Sequence, residues 1–283
     1  MARSLKTPLL RLGREKVGLA LPGLAFVIFF FVLPLIGNGV GSFFPDDGAF
    51  SLELYRRLLT DPFYLKILFE TLKVSVIVTV LCAVTGYPIA YFLVRKANRS
   101  RALIVFLLLA PLLTSVIMRT FGWQVFFARN GLISVALVDL GILDRKIDLL
   151  RNPVSVYVGL VHILITYMVL SISSVLQSID TRYEEAAQIL GANRWRAFCK
   201  ITLPLSLDGV ATGAVLVFML CNGSFLTMLL LGGGKVVTLP LLIYQQFTVS
   251  QDLSLASAMS NVLMFMAIIV MVLQLAFLKR RGV

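Results

Sequence analysis

Charge is scarce in this chain. Asp, Glu, Lys and Arg make up 14% of its 283 residues, against about 25% in a soluble globular domain. Hydrophobic residues make up 59%, so neither a disordered chain nor a soluble α/β enzyme fits. Cysteine falls to three, and Cys82, Cys199 and Cys221 lie far apart, which excludes a disulfide scaffold and a metal-ligand spacing. Histidine falls to one, His162, with no second imidazole or thiol beside it to share a metal. The short alternating segments of a membrane β-barrel are also missing. What remains is a mean hydropathy of +0.93, gathered into long runs that suit a bilayer better than water.

Six runs reach the roughly 20 apolar residues needed to cross a hydrocarbon core: Val17–Ile36, Leu72–Val94, Ala102–Phe127, Val154–Leu176, Leu205–Leu231 and Met259–Leu278. Backbone polar groups in lipid must be satisfied within the segment, so such runs are helices. The expectation is an all-α polytopic membrane protein with six transmembrane helices. Residues 1–68 form the N-terminal tail, first transmembrane helix and outer loop. Residues 69–283 form a five-helix core, with a cytoplasmic loop at about 178–204. The basic start followed by an apolar run resembles a signal peptide. The run is too long, however, Pro22 and Pro34 punctuate it, and no small-x-small site follows, which predicts a retained first span.

Basic residues set the direction. Arg3, Lys6, Arg11, Arg14 and Lys16 precede span one, and Arg95, Lys96, Arg99 and Arg101 separate spans two and three. Arg182, Arg194, Arg196 and Lys200 separate spans four and five, and Lys279, Arg280 and Arg281 end the chain. All four groups fall on one side, while bases on the other side are matched by acids such as Asp46, Asp47, Asp144 and Asp148. The formal charge of +12 therefore places both termini in the cytoplasm and calls for no nucleic acid.

The inner loop between spans four and five is too polar to enter lipid, yet rich in helix signals. Asp180 is placed to cap a helix whose first turn carries Glu184 and Glu185. Gly191 is placed to end it in a left-handed conformation, Asn193 to cap a second short helix, and Pro204 to mark the start of span five. Ala186 and Ala187 leave one face with little bulk, open to close approach by another protein, and the two glutamates offer charge to its arginines or lysines. On residue chemistry alone two readings stand: a bent helix that docks in a partner's groove, and an amphipathic helix lying on the membrane surface.

Polar groups within spans are costly and point to function. Glu70 and Lys73 are spaced to pair on one helical face. Arg119 sits about 26 Å along span three at 1.5 Å per residue, either snorkelling to the headgroups or facing a pathway. His162 in span four reads first as a hydrogen-bonded packing residue. Asn222, Ser224 and Phe225 interrupt span five, where they either permit close helix packing or line a translocation cavity. Arg119, His162, Asn222, Ser224 and Phe225 are therefore the candidate pathway residues. Gly232-Gly233-Gly234-Lys235 is no phosphate loop, because Leu229 replaces the leading glycine and Val236 the Ser/Thr that would hold Mg²⁺. It reads as an outer turn. With no nucleophile–base pair either, catalysis is not expected in this polypeptide, and a secondary transporter would need an inverted repeat and intramembrane carboxylates that are not evident.

The spacing Glu185-Ala186-Ala187, Gly191, Ile201, Leu203-Pro204 resembles the EAA loop of bacterial ABC importer permeases at every signature position. Arg119-Thr120, Trp123, Arg129-Asn130-Gly131, Tyr167-Met168-Val169-Leu170 and Leu231-Gly232-Gly233-Gly234 extend the resemblance to permeases of the spermidine/putrescine type. It implies six helices of the type I importer fold in a bacterial inner membrane. It also implies a coupling helix at Glu184, Glu185, Ala186, Ala187 and Gly191, docked on a cytoplasmic ATP-binding subunit dimer. That partner would carry the ATP and Mg²⁺, leaving this chain without a cofactor. The remaining partners would be a second, sister permease, a periplasmic solute-binding protein and membrane lipid. The chain departs from the pattern at Ile165-Thr166-Tyr167, where the family often has a proline, and near Asn222-Gly223, where it often has an acid. The implied solute is a polyamine or related amine, with amino-acid-like, opine-like or anionic solutes as alternatives.

Overall fold

A computed structural model describes residues 21–44, 48–97 and 99–279. The N-terminal basic group, the predicted start of span one at Val17, Asp46, Asp47 and the terminal Arg280 and Arg281 lie outside the described residues. Regular structure among the described residues is entirely helical. Five helices are long and apolar enough to cross a membrane, and a sixth span is counted if one bent pair is taken together.

The N-terminal helix, α1, runs Leu21–Gly41 and a short α2 spans Glu53–Thr60. Helix α3, Pro62–Arg95, starts ten residues before the predicted second span because Asp61 and Pro62 are a ready-made start. The Asp61 carboxylate accepts from the Phe63 amide at 2.8 Å, and proline needs no donor at the first position. Lys66 and Glu70 hide this opening from a hydropathy window. The helix also runs through the division drawn at residue 68. Helix α7, Pro153–Ser178, begins the same way, with the Asn152 side chain accepting from Val154 N.

The predicted third span is two helices, α4 (Arg101–Leu113) and α5 (Val116–Phe127), followed by α6 (Leu132–Asp139). Pro111 removes a backbone donor from the last turn of α4, and Thr114 and Ser115 are extended. The segment long and apolar enough to cross is α5 with α6, Val116–Asp139, which begins later than the predicted span because of the break at Thr114–Ser115. Crossing bonds fix the direction of α4 and α5. Thr166 donates to Leu108 O at 2.7 Å, the Trp123 indole to His162 at 3.3 Å, and Leu149 N to Phe127 O at 3.1 Å. The run Arg101–Phe127 is thus antiparallel to α7.

The predicted fifth span is shorter and broken at both ends. Its apolar run is α10, Leu207–Asn222, and a second helix, α11, covers Leu226–Leu231 after a break at Gly223–Phe225. Before it, α8 (Arg182–Ile189) and α9 (Arg194–Leu205) form an elbow, and α9 meets α10 at 56°. Helix α12, Leu239–Gln245, leads to the last helix, α13 (Leu253–Lys279). It starts six residues before the predicted sixth span, where the Asp252 carboxylate accepts from Leu255 N at 2.9 Å.

Helices α3, α7 and α10 form the core. Val78 and Cys82, Met168 and Ile172, and Val217 and Cys221 meet there fully or almost fully buried. Since lipid is as apolar as these side chains, close backbone approach and interhelical hydrogen bonds hold the helices together. A Cβ at Gly213 would lie 2.6 Å from the Met168 sulfur and 3.3 Å from its Cα, so α10 touches α7 only because glycine stands there. Three bonds set α10 and the segment after it antiparallel to α3: Tyr87–Ser206 at 2.7 Å, Ser75 to Asn222 at 3.3 Å, and Leu239 N to Thr71 at 2.8 Å.

At one end the Arg95 guanidinium donates to Ile179 O at 3.0 Å, which brings the C-termini of α3 and α7 together. The residues Lys96, Arg99, Arg101, Arg194, Arg196 and Lys200 come after these termini or open the next helices, so the basic loops share this end. At the opposite end Arg151 N donates to Leu231 O at 3.2 Å. Asn38 of α1, Ser42, Tyr55 of α2 and Asn261 of α13 form a hydrogen-bonded knot that ties the first helix to the last.

Candidate functional site

Two regions gather the candidate residues: the elbow at the basic end and a cavity beside the break after α10.

In the elbow, Asp180 sits one residue before the capping position, which Thr181 takes, and its carboxylate accepts from Arg182 N at 2.9 Å. Helix α8 then ends at Gly191 with φ of +88°, the left-handed geometry expected of it. The Gly191 amide donates to Gln188 O at 3.0 Å and the Ala192 amide to Ala187 O at 2.9 Å, satisfying carbonyls that the helix end would orphan. Asn193 accepts from Arg196 N at 2.7 Å and caps α9, as its position predicts.

The two glutamates part company. Glu185 and Ala186 are exposed and Ala187 is half-buried. Glu184 turns inward, where it accepts from the Thr202 hydroxyl at 2.8 Å and lies 3.3 Å from Arg95. The sequence reading missed the apolar character of the outer face. Ile189 and Leu190 are 86% and 88% exposed, with Tyr183 and Trp195 exposed nearby. The surrounding charges keep the average hydropathy of the loop low. The available signal was an apolar pair at the helix end with Glu185, Ala186 and Ala187, three or four residues back, as its helical neighbours. An exposed apolar pair beside Glu185 and a small-residue face is suited to burial, against a partner or in the membrane surface.

The cavity, of about 310 Å³, lies between α5, α7 and the start of α11. Arg119, Tyr167, Ser224, Phe225 and Thr227 line it. Three of the five candidate pathway residues, Arg119, Ser224 and Phe225, thus come together. The other two do not. Asn222 is buried in the helix core, accepting from Ser75 and donating to Phe218 O at 3.1 Å. His162 packs edge-on against Trp123, whose indole donates to Nδ1. Those contacts are the kind that a hydrogen-bonded packing histidine makes, and it does not line the cavity.

Arg119 neither snorkels nor swings freely. Its guanidinium turns back to Pro111 O and Thr114 O, carbonyls exposed by the break in the third span. Ser224 donates to Leu220 O at 2.9 Å, and the Phe225 ring stacks on Tyr244 at 4.8 Å. Lys73 and Glu70 form the expected pair at 2.7 Å. Gly233 and Gly234 take positive φ in a turn that ends α11, at the end opposite the basic loops. Among the described residues, no three His, Cys, Asp or Glu side chains are grouped to hold a metal ion.

Residues 16–283 match the model of the binding-protein-dependent transport system inner membrane component family. The chain belongs to that family. As such it is a transmembrane permease subunit of an ABC importer, a multi-pass protein of the inner membrane. It is 32% identical over 255 residues to the spermidine/putrescine transport system permease protein PotB of Haemophilus influenzae, covering 88% of this permease and 89% of that protein. Its fold is that of a bacterial ABC transporter involved in the import of the acidic polysaccharide alginate, with a TM-score of 0.82 at 16% identity, covering 96% of this chain and 98% of that one. The alginate transporter in complex with its alginate pentasaccharide-bound periplasmic protein matches at a TM-score of 0.80 and 16% identity, over 93% of both chains.

Proposed function

We propose that this permease imports a polyamine or related small amine. It would work with a sister permease, a periplasmic solute-binding protein and a cytoplasmic ATPase dimer that carries the ATP and Mg²⁺. The observation that carries the coupling part is the elbow: Glu185, Ala186, Ile189 and Leu190 exposed on a capped, sharply ended helix at the basic end of the molecule. With that end in the cytoplasm, both termini are cytoplasmic as well. A loaded binding protein docks at the opposite end, ATP closes the ATPase dimer, and the elbow is carried with it. Helices α3, α7 and α10 then shift against the sister subunit and open the cavity toward the periplasm. Replacing Glu185→Lys places a like charge against basic groups of the ATPase. The expected result is at least a fivefold loss of ATPase co-purifying with this chain at normal membrane insertion. Wild-type recovery would remove Glu185 from the docking surface.

The polyamine assignment is supported by the PotB relative. The cavity itself favours a second reading. Its one charged lining residue is Arg119, which suits an amino-acid-like or anionic solute better than a diamine. Titrating the partner binding protein with spermidine, putrescine, amino acids and phosphonates separates the two. Tight binding of the amines alone is expected, whereas preference for an acidic solute would replace the first reading with the second.

A further inference from the structure

Helix α8 buries none of its residues fully, so little apolar packing locks it to the rest of the subunit. Glu184 is its attachment. The carboxylate is 17% exposed and reaches two elements at once, Arg95 at the end of α3 and Thr202 on α9. Arg95 is 11% exposed, and the same guanidinium nitrogen also donates to Ile179 O, where the chain leaves α7. Its Nε has no hydrogen-bond partner, so the cation depends heavily on Glu184 for its compensation. The third side of the triangle is aromatic. Phe198 of α9 packs edge-on against Tyr87 and Tyr91 of α3 at 5.7 and 5.2 Å.

A surface ion pair stabilises little, but a half-buried pair that shares its acceptor with a hydroxyl fixes geometry, because either charge left alone is poorly solvated. We propose that Arg95, Glu184 and Thr202 form a clamp that makes α8 move as one body with α3 and α9. Arg95 is then a positioning residue for energy coupling, although it lies outside the docking surface. This rests on the proposal that the elbow takes its drive from a separate ATPase. Without the clamp, the exposed helix would rotate about its flanking residues and the push would be lost in that hinge.

The test uses the complex purified from native membranes through this chain and reconstituted in vesicles. Its native cysteines are replaced, and spin labels are attached at Arg182→Cys on the elbow and Phe92→Cys on α3, both exposed positions. The distance distribution between labels is expected to be narrow and to keep its mean whether the complex is nucleotide-free or trapped with MgATP and vanadate. Glu184→Gln and Thr202→Val are expected to broaden it at least twofold, with ATPase recovery unchanged. The exchanged pair Arg95→Glu with Glu184→Arg should narrow it again. A wild-type mean that shifts on trapping, or Glu184→Gln as narrow as wild type, overturns the clamp. Loss of the ATPase from Glu184→Gln also overturns it, by placing the residue in the docking surface. If no ATPase accompanies even the wild-type chain, the coupling proposal fails instead, and the widths of wild type and Glu184→Gln still decide the clamp.

Discussion

Gly191→Val is expected to cut uptake at least fivefold while leaving expression and insertion unchanged. The effect comes from the backbone alone. A Cβ at this position meets nothing within 4 Å, so there is no clash, but φ is +88°. Holding a β-branched residue in such a conformation costs about 1–3 kcal/mol, which amounts to about 5- to 150-fold against the native bend. Helix α8 has no buried residue with which to resist that cost. Relaxation of Gly191 breaks the hydrogen bonds that the Gly191 and Ala192 amides donate to the Gln188 and Ala187 carbonyls and re-aims Ile189 and Leu190. Gly191→Asn is the informative control, since asparagine tolerates left-handed geometry and should retain most uptake. Measuring uptake alongside ATPase recovery for both variants checks the point. Equal activity of Gly191→Val and wild type would show that the bend is not needed.

Gly213→Leu should have the largest effect on the fold itself. Its first carbon would already stand 2.6 Å from the Met168 sulfur and 3.3 Å from the Met168 Cα, and the neighbouring Ser171 Cβ lies at 3.2 Å. A flexible thioether can move, but the backbone of α7 cannot yield without parting the core pair. Overpacking of this kind typically costs about 1–3 kcal/mol and more where backbones are forced apart. The expected outcome is a large fall in thermal stability in detergent and in the yield of monodisperse protein. Gly213→Ala, which adds a single carbon, should fall between. An unchanged melting temperature for the leucine variant would mean that α7 and α10 do not approach as described.

These two glycines show different degrees of legibility in the sequence. Gly191 announces itself because local chemistry fixes it: a helix that begins with acids, a glycine at its end, and Asn193 set to start the next turn. Gly213 lies in an apolar run where glycine has several uses, and only the proximity of Met168, 45 residues away in the chain, gives it one. The spans divide in the same way. Their existence comes from hydropathy, whereas their ends come from caps such as Asp61 and Asn152 and from partners distant in sequence. Pro111 was visible, but a proline within a transmembrane helix is tolerated when neighbouring groups re-satisfy the backbone. Here the helix breaks, and Arg119, five and eight residues further on, turns back on the Thr114 and Pro111 carbonyls.

The candidate pathway residues divided for a related reason. Polarity within an apolar run marked Arg119, His162, Asn222, Ser224 and Phe225 alike, yet a buried polar group needs a partner whether it serves transport or packing. Ser75 and Trp123 supply those partners to Asn222 and His162, and neither lies close in sequence. In the elbow, adjacency concealed the difference between Glu184 and Glu185. One helical step of about 100° carries one carboxylate to Arg95 and leaves the other exposed.

The central claim is that the elbow receives its motion from another polypeptide. A photoreactive cross-linker in place of Leu190, which is 88% exposed, tests it most directly in native membranes. The expected result is a cross-link to a nucleotide-binding protein whose yield changes when MgATP is trapped on the complex. Adducts to lipid alone, at a yield indifferent to nucleotide, would contradict it.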